Sequence, residues 1–141
     1  ITESLRSEKV GLHASEIARD QHIRQALLEK QKKFAKQPGL VADGRDMGTV
    51  VFLDAPLKIF LTASVEIRAK RRYKQLMNHG QDGNLAHLIK TIEARDKLDI
   101  NRKISPLRPA LDAITIESDN LSVDQVLEKI LDLARSRNLI R

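Results

Sequence analysis

A chain of 141 residues with 25 Lys+Arg against 19 Asp+Glu, a net charge of +6, has room for one domain with a real core. It contains no cysteine, which excludes a disulfide framework, a cysteine-ligated zinc and a thiol nucleophile, and its histidines (His13, His22, His79, His87) form no HxxxH or HExxH pair. No apolar run approaches the roughly 20 residues that cross a bilayer, and Ile1 to Val10 is too charged for a signal peptide, so the expectation is a cytoplasmic protein.

In chain order, Ser15 to about Lys36 is predicted as a helix, with Ile17, Leu27, Leu28 and Phe34 near one face and Pro38-Gly39 as its stop. Gly39-Leu40-Val41-Ala42 is short, apolar and continuous, which predicts a buried parallel strand ending at Asp43. Lys58 to Ala63 is a second predicted strand. Ser64 then caps a helix running to about Asn78, which His79-Gly80 ends. Asn84 to about Arg102 is another helix, opened by the stripe Leu85, Leu88, Ile89, Ile92. Two prolines make Ser105 to Pro109 irregular, and Ala113 to Glu117 is the third strand. In the last helix Ser122 and Gln125 form a capping box, and Leu121 and Val126 a hydrophobic staple. Its positions Val123, Val126, Leu127, Ile130, Leu131 and Ala134 recur at helical spacing. This order is that of an α/β fold with parallel strands and crossover helices. Such sheets receive ligands at the carboxyl ends of their strands.

The positive surplus is uneven. Residues 66–103 carry 10 basic and 5 acidic groups and residues 1–42 a net +3, whereas 43–65 and 104–141 are each −1. Concentrated charge points to an anionic ligand, with ordinary solvated helix faces as the alternative. Phe34, Phe52, Phe60 and Tyr73 are the only aromatics. That disfavours single-stranded nucleic acid, whose bases need stacking platforms.

Three places break the apolar pattern. In Asp43-Gly44-Arg45-Asp46-Met47-Gly48-Thr49, two carboxylates and a guanidinium follow a predicted buried strand. Asp43 stands where an acid can orient a metal-bound water near nucleotide phosphates. Arg45 offers a planar fork for phosphate oxygens, and Asp46 can accept from an exocyclic amine. The alternative is a turn in which Arg45 pairs with Asp43 or Asp46. In the second place, Leu88, Ile92, Arg95, Asp99 and Arg102 share one helical stripe, which turns from apolar to Arg-Asp-Arg without leaving it. Charge on a core-directed face needs a partner or a polar cleft. The alternative is a local ion-pair ladder. Arg24 repeats the anomaly on the Ile17 to Leu27 face, while Ser15, nine residues earlier, reads first as a helix cap. Third, Arg68, Arg71 and Arg72 fall at i, i+3, i+4, where like charges repel unless an anion or acidic surface offsets them.

The run Gly39-Leu40-Val41-Ala42-Asp43-Gly44-Arg45-Asp46-Met47-Gly48-Thr49-Val50-Val51-Phe52 closely resembles the hallmark segment of bacterial cytidylate kinases. Glu93-Ala94-Arg95-Asp96 with Asp99, Asn101, Arg102 and Pro106 is similar to the same family, as is Ser15 to Leu28. The resemblance covers essentially the whole chain. It implies the α/β fold of P-loop nucleoside monophosphate kinases, a parallel sheet with flanking helices. It also implies transfer of the γ-phosphoryl of ATP, with Mg2+, to CMP or dCMP. By matching position, Ser15, Arg24 and Asp46 would read cytosine, and Arg45 and Arg102 would hold the CMP phosphate. Arg95 and Asp99 would lie near sugar and phosphate, and Arg68, Arg71 and Arg72 would sit on a lid over the ATP phosphates. Arg45, Arg102 and Asp43 would be the catalytic set, Asp43 meeting the metal through water. CMP or dCMP and ATP would be the partners of a monomeric full-length enzyme, with no membrane and no nucleic acid involved. Residues 1–37 would belong to the nucleotide-binding region, 38–63 to core strands and the Asp43 loop, 64–104 to lid and arginine-rich helices, and 105–141 to the last core strand and helix.

One departure stands out. No glycine is followed by lysine, so the phosphate loop G-x-x-x-x-G-K-[ST] is absent. The family carries it near the N-terminus, on the strand between those of Leu40–Ala42 and Ile59–Ala63, and Ile1 to Arg6 resembles the middle of such a protein. The expectation is therefore the C-terminal portion of a larger kinase, inactive alone, with a gap in its sheet. Two other readings stay open: a non-catalytic nucleotide- or RNA-binding basic module, and a portion of another nucleoside monophosphate kinase.

Overall fold

A computed structural model of the chain describes residues 8–80 and 82–140. The reading of Ile1 to Arg6 lies outside the described residues. In chain order the elements are α1 (Glu8–Ile17), α2 (Gln21–Lys32), a single wide helical turn (Met47–Val51), β1 (Ile59–Thr62), α3 (Val65–Asn78), α4 (Leu85–Ile100), β2 (Ile114–Glu117) and α5 (Val123–Ser136). They form two compact units. One comprises the chain up to Leu53 with Ala94–Arg108, the other Asp54–Glu93 with Pro109–Arg141.

The second unit is the α/β part. β1 and β2 pair in parallel, Ile59 opposite Ile114 through Thr62 opposite Glu117. Parallel neighbours need a long crossover, which α3 and α4 provide. Ser64 caps α3 by accepting from Ile67 N–H at 3.4 Å, and Gly80 follows its end at φ +65°, a backbone state open to glycine. The carboxyl ends of the strands are tied together. Ser118 donates both its backbone N–H (2.9 Å) and its hydroxyl (3.1 Å) to the Thr62 carbonyl, and Asp119 accepts from Ser64 N–H at 2.7 Å. At the other end, Ile114 N–H bonds the Lys58 carbonyl at 2.9 Å, and Lys58 pairs with Asp112. Ala69, Leu88 and Ile116 are buried. The capping box of α5 forms as its spacing predicts, Gln125 N–H to Ser122 Oγ at 3.2 Å and Ser122 N–H to Gln125 Oε1 at 2.8 Å. Its apolar stripe is covered in part: Val126, Ile130, Leu131 and Ala134 are half-buried, while Val123 and Leu127 are exposed.

The first unit departs from the sequence reading in three ways. The helix expected over Ser15–Lys36 is two helices, because Asp20 accepts from His22 N–H (2.8 Å) and Ile23 N–H (3.1 Å) and starts a new one. An acidic N-cap outweighed a periodicity that continues across it. α2 also ends early, at Lys32, where tighter i→i+3 bonds to Phe34 and Ala35 take over. Second, Ile17, Leu27 and Phe34 are exposed rather than sharing a core face, since Ile17 belongs to a different helix. Third, Gly39–Ala42 is neither a strand nor buried. Val41 is fully exposed, and no described strand lies alongside to supply the ladder bonds by which a strand exists.

Candidate functional site

What the first unit does bury is polar. Ser15, Asp46, Asp99 and Arg102 are all buried there, with Val51 as its only buried apolar residue among those described. Asp99, 2% exposed, is the hub. Its Oδ1 accepts from Ser15 Oγ at 3.1 Å and its Oδ2 from Arg45 Nε at 3.2 Å. Arg95 Nε stands 4.0 Å from Oδ2, and Arg102 Nη1 3.8 Å from Oδ1. One carboxylate is thus met by a serine and three arginines.

Local structure explains the gathering. α4 carries Arg95 and Asp99 one turn apart on the stripe that begins with the buried Leu88. Beyond its end the chain folds back: Leu107 N–H bonds the Asp99 carbonyl at 2.8 Å, satisfying a group that the helix terminus would leave open. Ser105, at φ +50°, turns its carbonyl onto Arg102 Nε at 3.0 Å. A non-glycine residue in that conformation stores local strain, of the kind found at functional sites. Arg102 is thereby held with Nη1 toward Asp99.

A second pair sits beside the hub. Half-buried Arg24 forms an ion pair with buried Asp46, and its Nη1 also donates to the Ala18 carbonyl at 3.3 Å, at the C-terminal end of α1 where a cation is favoured. The break at Asp20, unseen in the sequence, brings Arg24 back toward that helix end. Asp46 is fixed from its backbone too. Its carbonyl accepts from Val50 N–H (2.9 Å) and Val51 N–H (3.3 Å), and Phe52 N–H reaches the Met47 carbonyl at 2.7 Å. The two i→i+5 bonds, from Val51 and Phe52, make the wide turn over Met47–Val51, a rare form that recurs at functional sites.

Ser15, Arg24, Arg45, Asp46, Arg95, Asp99 and Arg102 all line one open cleft of about 160 Å³. Four guanidiniums face two carboxylates there, a formal surplus of two positive charges. Arg45, with its side chain 41% exposed, keeps an open face. Arg95 Nε is buried without a hydrogen-bond partner, an unmet donor in a cleft of this sign. The ladder Arg95–Asp99–Arg102 therefore exists, but it is incomplete in itself and is joined by Ser15 and Arg45 from elsewhere in the chain. Sequence reasoning missed Ala14 and Ala18, which also line the cleft. With Gly11 and Ser15 they follow i, i+3, i+4, i+7 along α1 and the residue just after it, a run of small residues that was there to be noticed.

The remaining candidates are not among the residues that line this cleft. Asp43 is exposed and does not line the cleft. No group of three His, Cys, Asp or Glu side chains able to hold a metal occurs among the described residues. Arg68, Arg71 and Arg72 are on α3 in the second unit. Arg68 Nε donates to the Ala63 carbonyl at 3.0 Å and Arg72 Nη1 to Gln75 at 3.4 Å. Arg71 donates to Ser118 Oγ at 3.0 Å and to the Ser118 and Leu121 carbonyls. No described helix is long and apolar enough to cross a membrane.

Ion-paired arginines around buried carboxylates thus leave the cleft of the first unit with an excess of positive charge. The sequence pattern of the cytidylate kinase family matches residues 1–136. A cytidylate kinase of Stutzerimonas stutzeri (strain A1501) is 55% identical over 139 residues, 99% of this chain and 61% of that protein. One of Methylococcus capsulatus (strain Bath) is 56% identical over 130 residues, covering 92% and 59%, and one of Pseudomonas syringae pv. tomato 52% over 139, covering 99% and 61%. The chain belongs to the cytidylate kinase family. It spans about 61% of the length of the first of these relatives.

Proposed function

We propose that the protein carrying this chain transfers the γ-phosphoryl of ATP, presented with magnesium, to CMP or dCMP, and that the cleft of the first unit receives the monophosphate. The carrying observation is the charge surplus of two around Asp99 and Asp46. A phosphate monoester carries about −1.5 to −2 at neutral pH, which matches it. Arg45 and Arg102 hold the phosphate. Ser15, Arg24 and Asp46 read the base, with Asp46 accepting from the cytosine amine. Arg95 and Asp99 meet sugar and phosphate. We read the two-stranded parallel sheet as part of the P-loop nucleoside monophosphate kinase sheet, with Arg68, Arg71 and Arg72 on the ATP side.

Phosphoryl transfer asks for positioning and charge stabilisation more than for a protein nucleophile. The cleft supplies both. Asp99 hydrogen-bonds Arg45 and keeps Arg95 and Arg102 within 4.0 Å before the ligand arrives, so the phosphate meets donors already gathered. The anion then offsets the repulsion among those guanidiniums, which one carboxylate cannot cancel.

Calorimetric titration with CMP, dCMP, UMP and AMP tests the reading. CMP and dCMP are expected to bind at least tenfold more tightly than UMP and AMP; equal affinity for all four would contradict it. Binding to oligonucleotides with a steep salt dependence, and none to CMP, would instead favour a basic nucleic-acid module. Since no glycine is followed by lysine in the 141 residues, the chain alone is expected to bind CMP without releasing ADP from ATP. Family-like turnover by it would refute that division of labour.

A further inference from the structure

Gly11 sits within α1, where alanine would be the better helix former. A Cβ placed on Gly11 would lie 2.8 Å from Arg95 Nη1 and 3.3 Å from its Cζ. The guanidinium of Arg95 thus lies in the space that a side chain at position 11 would occupy. No hydrogen bond fixes Arg95 Nε, which is buried and held only by a long ion pair, 4.0 Å from the Asp99 carboxylate. The backbone of α1 is therefore the surface against which this head group rests. Ala14 and Ser15, three and four residues on, line the cleft beside it.

We propose that Gly11 is a positioning residue: by lacking a side chain it sets where Arg95 stands in the cleft, and so how that arginine meets the sugar and phosphate of the bound nucleotide. The inference rests on the acceptor-site reading above and adds to it a residue that does not itself line the cleft. The group that must give way to a methyl is the tip of a flexible side chain, so Gly11→Ala displaces Arg95 and leaves the helix intact.

Stability and binding then change in opposite directions, which a purely structural glycine would not produce. Gly11→Ala is expected to raise Tm by about 3 °C while weakening CMP about tenfold, the loss of one charge-assisted contact. In an Arg95→Ala background the same substitution is expected to add no further loss of affinity, because the two act through one group. The Nε–Hε resonance of Arg95 in a nitrogen-15 spectrum is expected to shift in Gly11→Ala even without nucleotide. An unchanged resonance, a CMP affinity within twofold of wild type, a joint fall of Tm and affinity, or a tenfold loss that persists in Arg95→Ala would each overturn the proposal. If wild type fails to bind CMP the acceptor-site reading falls, and the resonance alone then decides whether Gly11 places Arg95.

Discussion

The two units bury opposite kinds of side chain. Among the described residues the second unit buries Ala69, Leu88 and Ile116 with Ser118 as its polar exception, whereas the first buries Ser15, Asp46, Asp99 and Arg102 and one valine, Val51. Apolar burial stabilises in proportion to the area removed from water. Buried ions are different: desolvation offsets much of their attraction, and a well-packed apolar replacement is often as stable. A unit organised around ions is therefore poorly explained by stability and better explained by what the ions receive. One unit is held by its core, the other by a balance of charge that the proposed nucleotide would complete.

The strongest way to break the comparison is Asp99→Ala. It leaves Arg102 and its neighbours uncompensated in a buried setting and is expected to cost about 3–5 kcal/mol, read by urea denaturation, with CMP binding lost. A loss below about 1 kcal/mol would mean that the carboxylate is not the organiser of the first unit. Next is Ile116→Ala in the second unit. It should cost about 3 kcal/mol through the lost transfer energy and the cavity, yet leave the CMP affinity of the folded protein unchanged. A parallel fall in affinity would join what the comparison separates.

Much of the second unit was legible. Both strands, the Ser64 cap, the stop at His79-Gly80 and the Ser122–Gln125 box follow from short-range rules, and each forms as spacing predicts. The first unit was legible in its chemistry and less so in its shape. Arg95, Asp99 and Arg102 betrayed themselves as charges on an apolar stripe. Asp20 was hidden because the residues around it keep a helical rhythm, so a cap in mid-pattern looked like one more polar position. Gly39–Ala42 misled in the other direction: its apolar run states a propensity, but a strand is completed by its neighbour, which local sequence does not contain. Gly11 could be noticed as one of a run of small residues, but its relation to Arg95 could not, since that partner is 84 residues away.

Smaller effects sharpen the contrast. Asp46→Ala should weaken CMP about tenfold or more through loss of a charge-assisted hydrogen bond, while ATP affinity changes little; equal losses for both nucleotides would argue against a base-reading carboxylate. The smallest effect concerns Asp112, whose carboxyl the hydrogen bond from Lys58 holds below its ordinary value of 3.8. A depressed folded value means that this pair stabilises fully above that ordinary value and less as pH falls through the folded one. Asp112→Asn should therefore lose slightly less stability than wild type on acidification through this range, and an identical pH profile would show that the pair contributes nothing.

The central claim is that the ionic unit exists to receive a phosphate monoester. Calorimetry comparing CMP with cytidine isolates that group. The account predicts that CMP binds at least a hundredfold more tightly than cytidine, and that the difference collapses in Arg102→Ala. Equal affinity for the nucleotide and the nucleoside would contradict it.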